Sequence, residues 1–210
     1  MAIVFLYGIN SCGKDTIASI LVKNMENCMI TGESRLLMYR LGLINNYESH
    51  YPVKASAYKA LEQVDSEVIE KVSNLEIPQT IKQIADKGKN LIVLSHLVYA
   101  LFQKNTETIY LSNRPIPSWI CNYGDCFVYI KSSPHDIQRR RMKDFNDDIN
   151  RRKIQTLEEI KNHQVLSGKK WAELRQLAKK KQFIVVENNH NEAKKAANIV
   201  SKFISKLNKG

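Results

Sequence analysis

Nowhere does the sequence sustain an apolar run long enough to cross a bilayer. The longest stretch, residues 91–102, is interrupted by Ser95 and His96 and falls short of the roughly 17–25 residues that a spanning helix needs. The opening MAIVFLYGIN has no basic segment before its apolar residues and reaches glycine too soon for a secretory leader. Cysteine is scarce. Cys12, Cys28, Cys121 and Cys126 are four in 210 residues, too few for a disulfide framework, and the Cys121/Cys126 spacing is not the C-x₂-C pairing of a zinc site. Free thiols, a cytoplasmic location and no membrane partner are the expectation. Acidic residues are also in deficit, 21 against 32 Lys and Arg, for a net charge of +11. Such a surface favours polyanions, whether nucleotide, nucleic acid or anionic lipid, without choosing among them. Low-complexity linkers and internal repeats are missing. With 43% apolar and 25% charged residues, the chain has ordinary globular composition, and 1–210 fits a single packed domain.

What is present is an alternation of strands and helices. Residues 3–7 form a short β-rich apolar run ending in Gly8, and Ile17, Ile20 and Leu21 follow at helical spacing, which makes a βα unit. A second strand is predicted at 27–30 and a helix at 31–43, with Thr31 as its cap. Residues 52–87 read as helical, broken by Pro78. Further strands are predicted at 90–95 (NLIVLS), 126–131 (CFVYIK) and 183–187 (FIVVE), and helices at 133–142, 156–180 and 192–207. Short strands apolar on both faces, separated by helices, imply an α/β architecture: a parallel sheet of about five strands with helices on both faces. Residues 139–153 (RRRMKDFNDDINRRK) are charge-dense and poor in core-forming side chains. They are expected to form a mobile flap.

Gly8-Ile9-Asn10-Ser11-Cys12-Gly13-Lys14-Asp15-Thr16 follows the first strand and opens the first helix. Glycines let the backbone curl so that successive N–H groups point inward at phosphate oxygens, and the helix N-terminus adds positive dipole. The lysine reaches the β- and γ-phosphates, and a hydroxyl supports Mg²⁺. The strict pattern has Ser or Thr immediately after the lysine. Here Asp15 stands in that place, with Thr16 one position later. A carboxylate beside a triphosphate is repelled unless a cation intervenes, so Asp15 either faces away or helps to hold Mg²⁺.

On these residues the sequence resembles the nucleoside monophosphate kinases, most closely the archaeal-type adenylate kinases. Thr31-Gly32-Glu33 followed by Arg35 is similar to the segment that holds the acceptor monophosphate. Tyr110-Leu111 with Pro117-Ser118-Trp119-Ile120 resembles the stretch before the fourth strand. Arg140-Arg141, Asp144 and Asn150-Arg151-Arg152 resemble the arginine-rich lid, His163-Gln164 a pair on the helix after it, and residues 185–188 the final strand and its nucleotide-facing loop. In one place the sequence departs from the family. The third strand there ends in Asp, before a small hydroxylic residue and His; here Leu94-Ser95-His96 puts leucine at the carboxylate position. One compensation is that Asp15 supplies the missing carboxylate.

The resemblance implies a P-loop NTPase fold with a mobile Arg-rich lid (139–155) and a helical acceptor-binding insertion (31–88). It also implies transfer of the ATP γ-phosphoryl group to a nucleoside monophosphate, AMP first among them. Gly8, Asn10, Ser11, Cys12, Gly13, Lys14, Asp15, Thr16, Arg140 and Asn188 would then hold ATP, and Asp15 and Thr16 its Mg²⁺. Thr31, Gly32, Arg35 and His96 would hold the acceptor. Lys14, Arg141, Arg151 and Arg152 would stabilise the transferring group, because planar guanidinium grips two phosphate oxygens and stays charged. Two other functions remain open: a P-loop kinase for another nucleotide or an alcohol, and a weakly catalytic nucleotide-binding module acting with RNA or a protein partner. The lysine clusters of the late helices read as solvated faces, and an oligomer is compatible with the sequence.

Overall fold

The computed structural model describes residues 2–51, 53–103, 108–112, 115–147 and 155–207. Five parallel strands form the central sheet: β1 (Ile3–Tyr7), β2 (Cys28–Gly32), β3 (Asn90–Ser95), β6 (Cys126–Lys131) and β7 (Gln182–Glu187). Two further strands among the described residues, β4 (Tyr99–Gln103) and β5 (Thr108–Ser112), pair with each other outside it. The order in the central sheet is β2-β3-β1-β6-β7. The first strand is therefore central, and its side chains are buried on both faces, which is why its sequence is a continuous apolar run rather than an alternating one.

Helices cover both faces. On one, α1 (Lys14–Asn24) and α9 (Ala193–Leu207) bury Ile17, Leu21, Val200 and Ile204 against Val4, Leu6, Ile92 and Val128. On the other, α2 (Glu33–Arg40), α5 (Ile77–Ala85), α6 (Ser118–Tyr123) and α8 (Leu157–Leu177) bury Leu36, Ile81, Trp119 and Trp171 against Phe5, Tyr7 and Phe127. Both tryptophans are core residues. Tyr129 stacks on Trp171 with ring centroids 5.3 Å apart. All four cysteines are free. Among the described residues no helix is long and apolar enough to cross a membrane.

Several local expectations are corrected. Thr31 does not cap a helix. It lies in β2 paired with Val93, fully buried, and its hydroxyl donates to the Tyr47 carbonyl at 2.7 Å. The helix starts instead at Glu33, after Gly32. Pro78 does not break its helical region: α3 (Ala55–Leu61) and α4 (Ser66–Lys71) lead into a π-helical turn (Val72–Glu76), and Pro78 sits in the first turn of α5. A proline is tolerated there because its missing N–H would have no intrahelical partner. Three elements have no counterpart in the sequence expectations: α6 and the two strands of the antiparallel hairpin, β4 and β5. The first part of the expected lid is a continuation of α7 (Pro134–Asp147); residues 148–154 lie outside the described residues.

Candidate active site

The loop after β1 lies at the carboxyl edge of the sheet. Ser11 takes φ 63° and Gly13 φ 91° before α1 begins at Lys14. A Cβ on Gly8 would stand 2.7 Å from the Ile130 carbonyl oxygen, and one on Gly13 would stand 2.2 Å from Asn188 Nδ2. Only glycine fits either place.

Lys14 folds back over this loop. Its Nζ donates to the carbonyls of Gly8 at 2.7 Å and Ile9 at 3.1 Å, and the residue is only 5% exposed. No ion pair to a carboxylate is formed by Lys14 among the described residues. A buried ammonium whose partners are neutral carbonyls and the Cys12 thiol at 4.0 Å, at a helix N-terminus, is an electrostatic invitation to an anion. The Cys12 thiol beside it is fully buried; burial pushes its pKa up, with Lys14 opposing.

The first turns of α7 and the end of β7 brace the loop. Arg140 donates through Nη1 to Ser11 O and Ser132 Oγ, and through Nη2 to Asn188 O and Asn189 O, at 3.0–3.2 Å. Asn188 Nδ2 donates to Cys12 O at 2.8 Å. Arg141 Nη2 donates to Asn10 O at 3.1 Å. Ile9, Ile137 and Ile160 form a small buried cluster beneath these contacts, tying loop, α7 and α8 together. Ser132 and Asn189 were not singled out by sequence; Ser132 follows β6 directly at the same sheet edge, which was the available signal.

On the α2 side, Arg35 donates through Nη1 to the carbonyls of Glu48 at 3.2 Å and Tyr51 at 2.8 Å. Gly32 ends β2, and His96 follows β3 at the same edge, half-buried. Ser95 Oγ donates to Glu33 Oε2. Leu94 turns its side chain into the cluster between the sheet and α1/α9. His163 on α8 is fully buried. A carbonyl can only accept, so its Nε2–H donates to Val98 O at 2.9 Å, leaving Nδ1 as a neutral acceptor. Burial, assisted by the charges of Arg141 and Lys14 and opposed by the Val98 bond, lowers its pKa to about 4. His163 thus ties α8 to the β3–β4 connection. Gln164 next to it donates to Ser132 O at 2.6 Å.

Asp15 and Thr16 are exposed in the first turn of α1. Among the described residues no group of three or more His, Cys, Asp or Glu side chains could enclose a metal ion. Oxygen donors of this kind suit a hard cation that keeps several waters. Arg151 and Arg152 lie outside the described residues.

A five-stranded parallel sheet in this order, with a glycine loop and buried lysine after its central strand, has the architecture of the P-loop kinases. Comparison with solved structures gives the same fold. Shikimate kinase from Bacteroides thetaiotaomicron matches with TM-score 0.51 and 10% identity over 97% of this chain and 98% of that one. Shikimate kinase from Acinetobacter baumannii, in complex with shikimate, matches with TM-score 0.51 and 14% identity over 98% and 94%. Dephospho-CoA kinase from Campylobacter jejuni matches with TM-score 0.50 and 16% identity over 98% of each. No protein-family model matches the chain, and no curated protein does.

Proposed function

We propose that this protein is a phosphotransferase that moves the γ-phosphoryl group of ATP to a nucleoside monophosphate, with AMP as acceptor. The observation that carries the reading is Lys14, a buried cation at the mouth of a curled loop whose partners among the described residues are the Gly8 and Ile9 carbonyls and the Cys12 thiol, with no carboxylate. A triphosphate tail supplies the counter-charge that this group lacks.

Phosphoryl transfer asks for positioning, positive charge and exclusion of water more than for covalent chemistry. Lys14 and the loop amides hold the donor, and Arg141, already at the loop through Asn10, stands beside the phosphates. Arg151 and Arg152, which lie outside the described residues, would add positive charge for the transferring group. Arg35 clamps the acceptor phosphate through the donors that its loop contacts leave over, with Gly32 and His96 beside it; the Thr31 side chain is committed to Tyr47 and contributes shape. Asp15 and Thr16 would hold magnesium, which supplies charge neutralisation across the phosphate oxygens.

A second reading, a kinase for a small alcohol, is favoured by the fold likeness to shikimate and dephospho-CoA kinases. A coupled assay with ATP and magnesium over AMP, dAMP, CMP, UMP, GMP, dTMP, shikimate and dephospho-CoA separates the two. Turnover fastest with AMP supports the first reading, turnover with an alcohol alone replaces it, and ADP binding with no turnover on any acceptor points to a nucleotide-binding module.

A further inference from the structure

We propose that Glu33 supplies the strand carboxylate for the magnesium ion whose loop-side oxygen donors are Asp15 and Thr16. The proposal rests on the nucleotide reading above, because it needs a polyphosphate in the loop. P-loop enzymes hold this ion through the residue after the loop lysine and a carboxylate from a neighbouring strand, the remaining ligands being phosphate oxygens and water. Here β3, the strand between β1 and β2, ends in Leu94-Ser95. Leucine cannot ligate a cation, and this one is packed against the apolar cluster between the sheet and α1/α9.

The register brings an acid to the same edge from one strand further out. Tyr7 pairs with Ser95, and Leu94 pairs with Gly32. Glu33, the residue after Gly32 and the first of α2, therefore stands where β2 ends, beside Ser95, which with Tyr7 makes the last rung before Gly8 opens the loop. The Ser95 hydroxyl reaches across and donates to Glu33 Oε2, which orients the carboxylate at that edge. Adjacent strands are about 4.8 Å apart, and the additional methylene of glutamate over aspartate recovers part of that offset. The one acid that ends a parallel strand among the described residues is Glu187, exposed at the far edge on β7.

The test titrates ADP into the wild type, Glu33→Gln and Glu33→Gln/Leu94→Asp, with and without magnesium, by calorimetry. Manganese in place of magnesium, followed by electron paramagnetic resonance, reads the ion directly. In Glu33→Gln the side-chain amide oxygen still accepts the Ser95 hydroxyl, so the fold is kept, and thermal melting checks this. Glu33→Gln is expected to bind ADP alone as the wild type does and to lose about tenfold or more of the magnesium-dependent gain. Leu94→Asp in that background is expected to restore part of it and to return the manganese signal. Normal ADP binding with an unchanged magnesium gain in Glu33→Gln overturns this proposal alone. Wild-type protein that binds no ADP in either condition overturns the nucleotide reading and this proposal with it.

Discussion

Asn188 lies against the face of Gly13 where a side chain would project: Nδ2 is 2.2 Å from the position of that absent Cβ while it donates to Cys12 O at 2.8 Å. The last strand thereby clamps the loop of the first, across β6. Gly13→Ala meets two obstacles, the amide and a φ of 91°, and is expected to lower stability by about 2 kcal/mol or more and to abolish ADP binding. Gly42 is the internal control. Its φ is 70° and nothing lies within 4 Å of where its Cβ would stand, so Gly42→Ala faces only the backbone cost of about 1–2 kcal/mol. Adding Asn188→Ala to Gly13→Ala removes the clash and leaves the dihedral, so recovery should be partial. Thermal melts of these variants check the order, and equal losses for Gly13→Ala and Gly42→Ala would refute the clamp.

Arg140 and Arg141 are neighbours with different duties. Each guanidinium Nη carries two hydrogens, and Arg140 commits all four to Ser11, Ser132, Asn188 and Asn189. It is a brace of the loop. Lysine has no planar fork to reproduce this pattern, so Arg140→Lys should destabilise almost as much as Arg140→Ala, by about 1–3 kcal/mol, and weaken ADP binding as a consequence. Arg141→Lys should leave the urea midpoint nearly unchanged and lower kcat by on the order of 10²-fold or more. A stable Arg140→Lys protein with normal ADP affinity would contradict the assignment.

Lys14 gives a test in which stability and function move in opposite directions. Methionine keeps most of the buried stem and removes the uncompensated charge, so ligand-free Lys14→Met should melt no lower than wild type, with a gain of up to about 1 kcal/mol. The rise in Tm that ADP gives the wild type should vanish, since linkage requires binding to the native state. Phosphotransfer should fall by on the order of 10³-fold. A Lys14→Met protein that ADP still stabilises to the wild-type extent would detach the loop from phosphate binding.

The strands that build the site were legible because burial on both faces leaves an unmistakable record: β1, β3 and β6 coincide with their apolar runs. Thr156 was legible as a helix start, and its capping box with Glu159 bears this out. The hairpin was not, because Tyr99–Gln103 continues the apolarity of β3 and no tight two-residue turn separates it from Thr108–Ser112. Thr31 misled because a hydroxyl before a helix serves equally as a cap or, as here, as a strand residue anchoring a distant loop. The loop motif could be recognised residue by residue. Its bracing by Asn188 and Arg140 joins positions more than a hundred residues apart in the chain, and no local pattern encodes that.

His163 imposes a pH dependence on folding. Its pKa is about 4 in the folded protein against about 6.5 in an unfolded chain. Below pH 6.5 the unfolded state therefore binds a proton that the native state refuses, and stability drains away as the pH falls toward 4. Above pH 6.5 the ring is neutral in both states and the contribution is complete. Urea midpoints should accordingly decline between pH 6.5 and 4 more steeply in the wild type than in His163→Gln, whose amide can still donate to Val98 but does not titrate. At pH 7.5 the substitution should cost about 1–3 kcal/mol through imperfect filling of the buried site, and the two curves should converge on acidification. Parallel curves across that interval would mean that the imidazole takes up its proton at the same pH in the native and unfolded states, contrary to its burial beside Lys14 and Arg141.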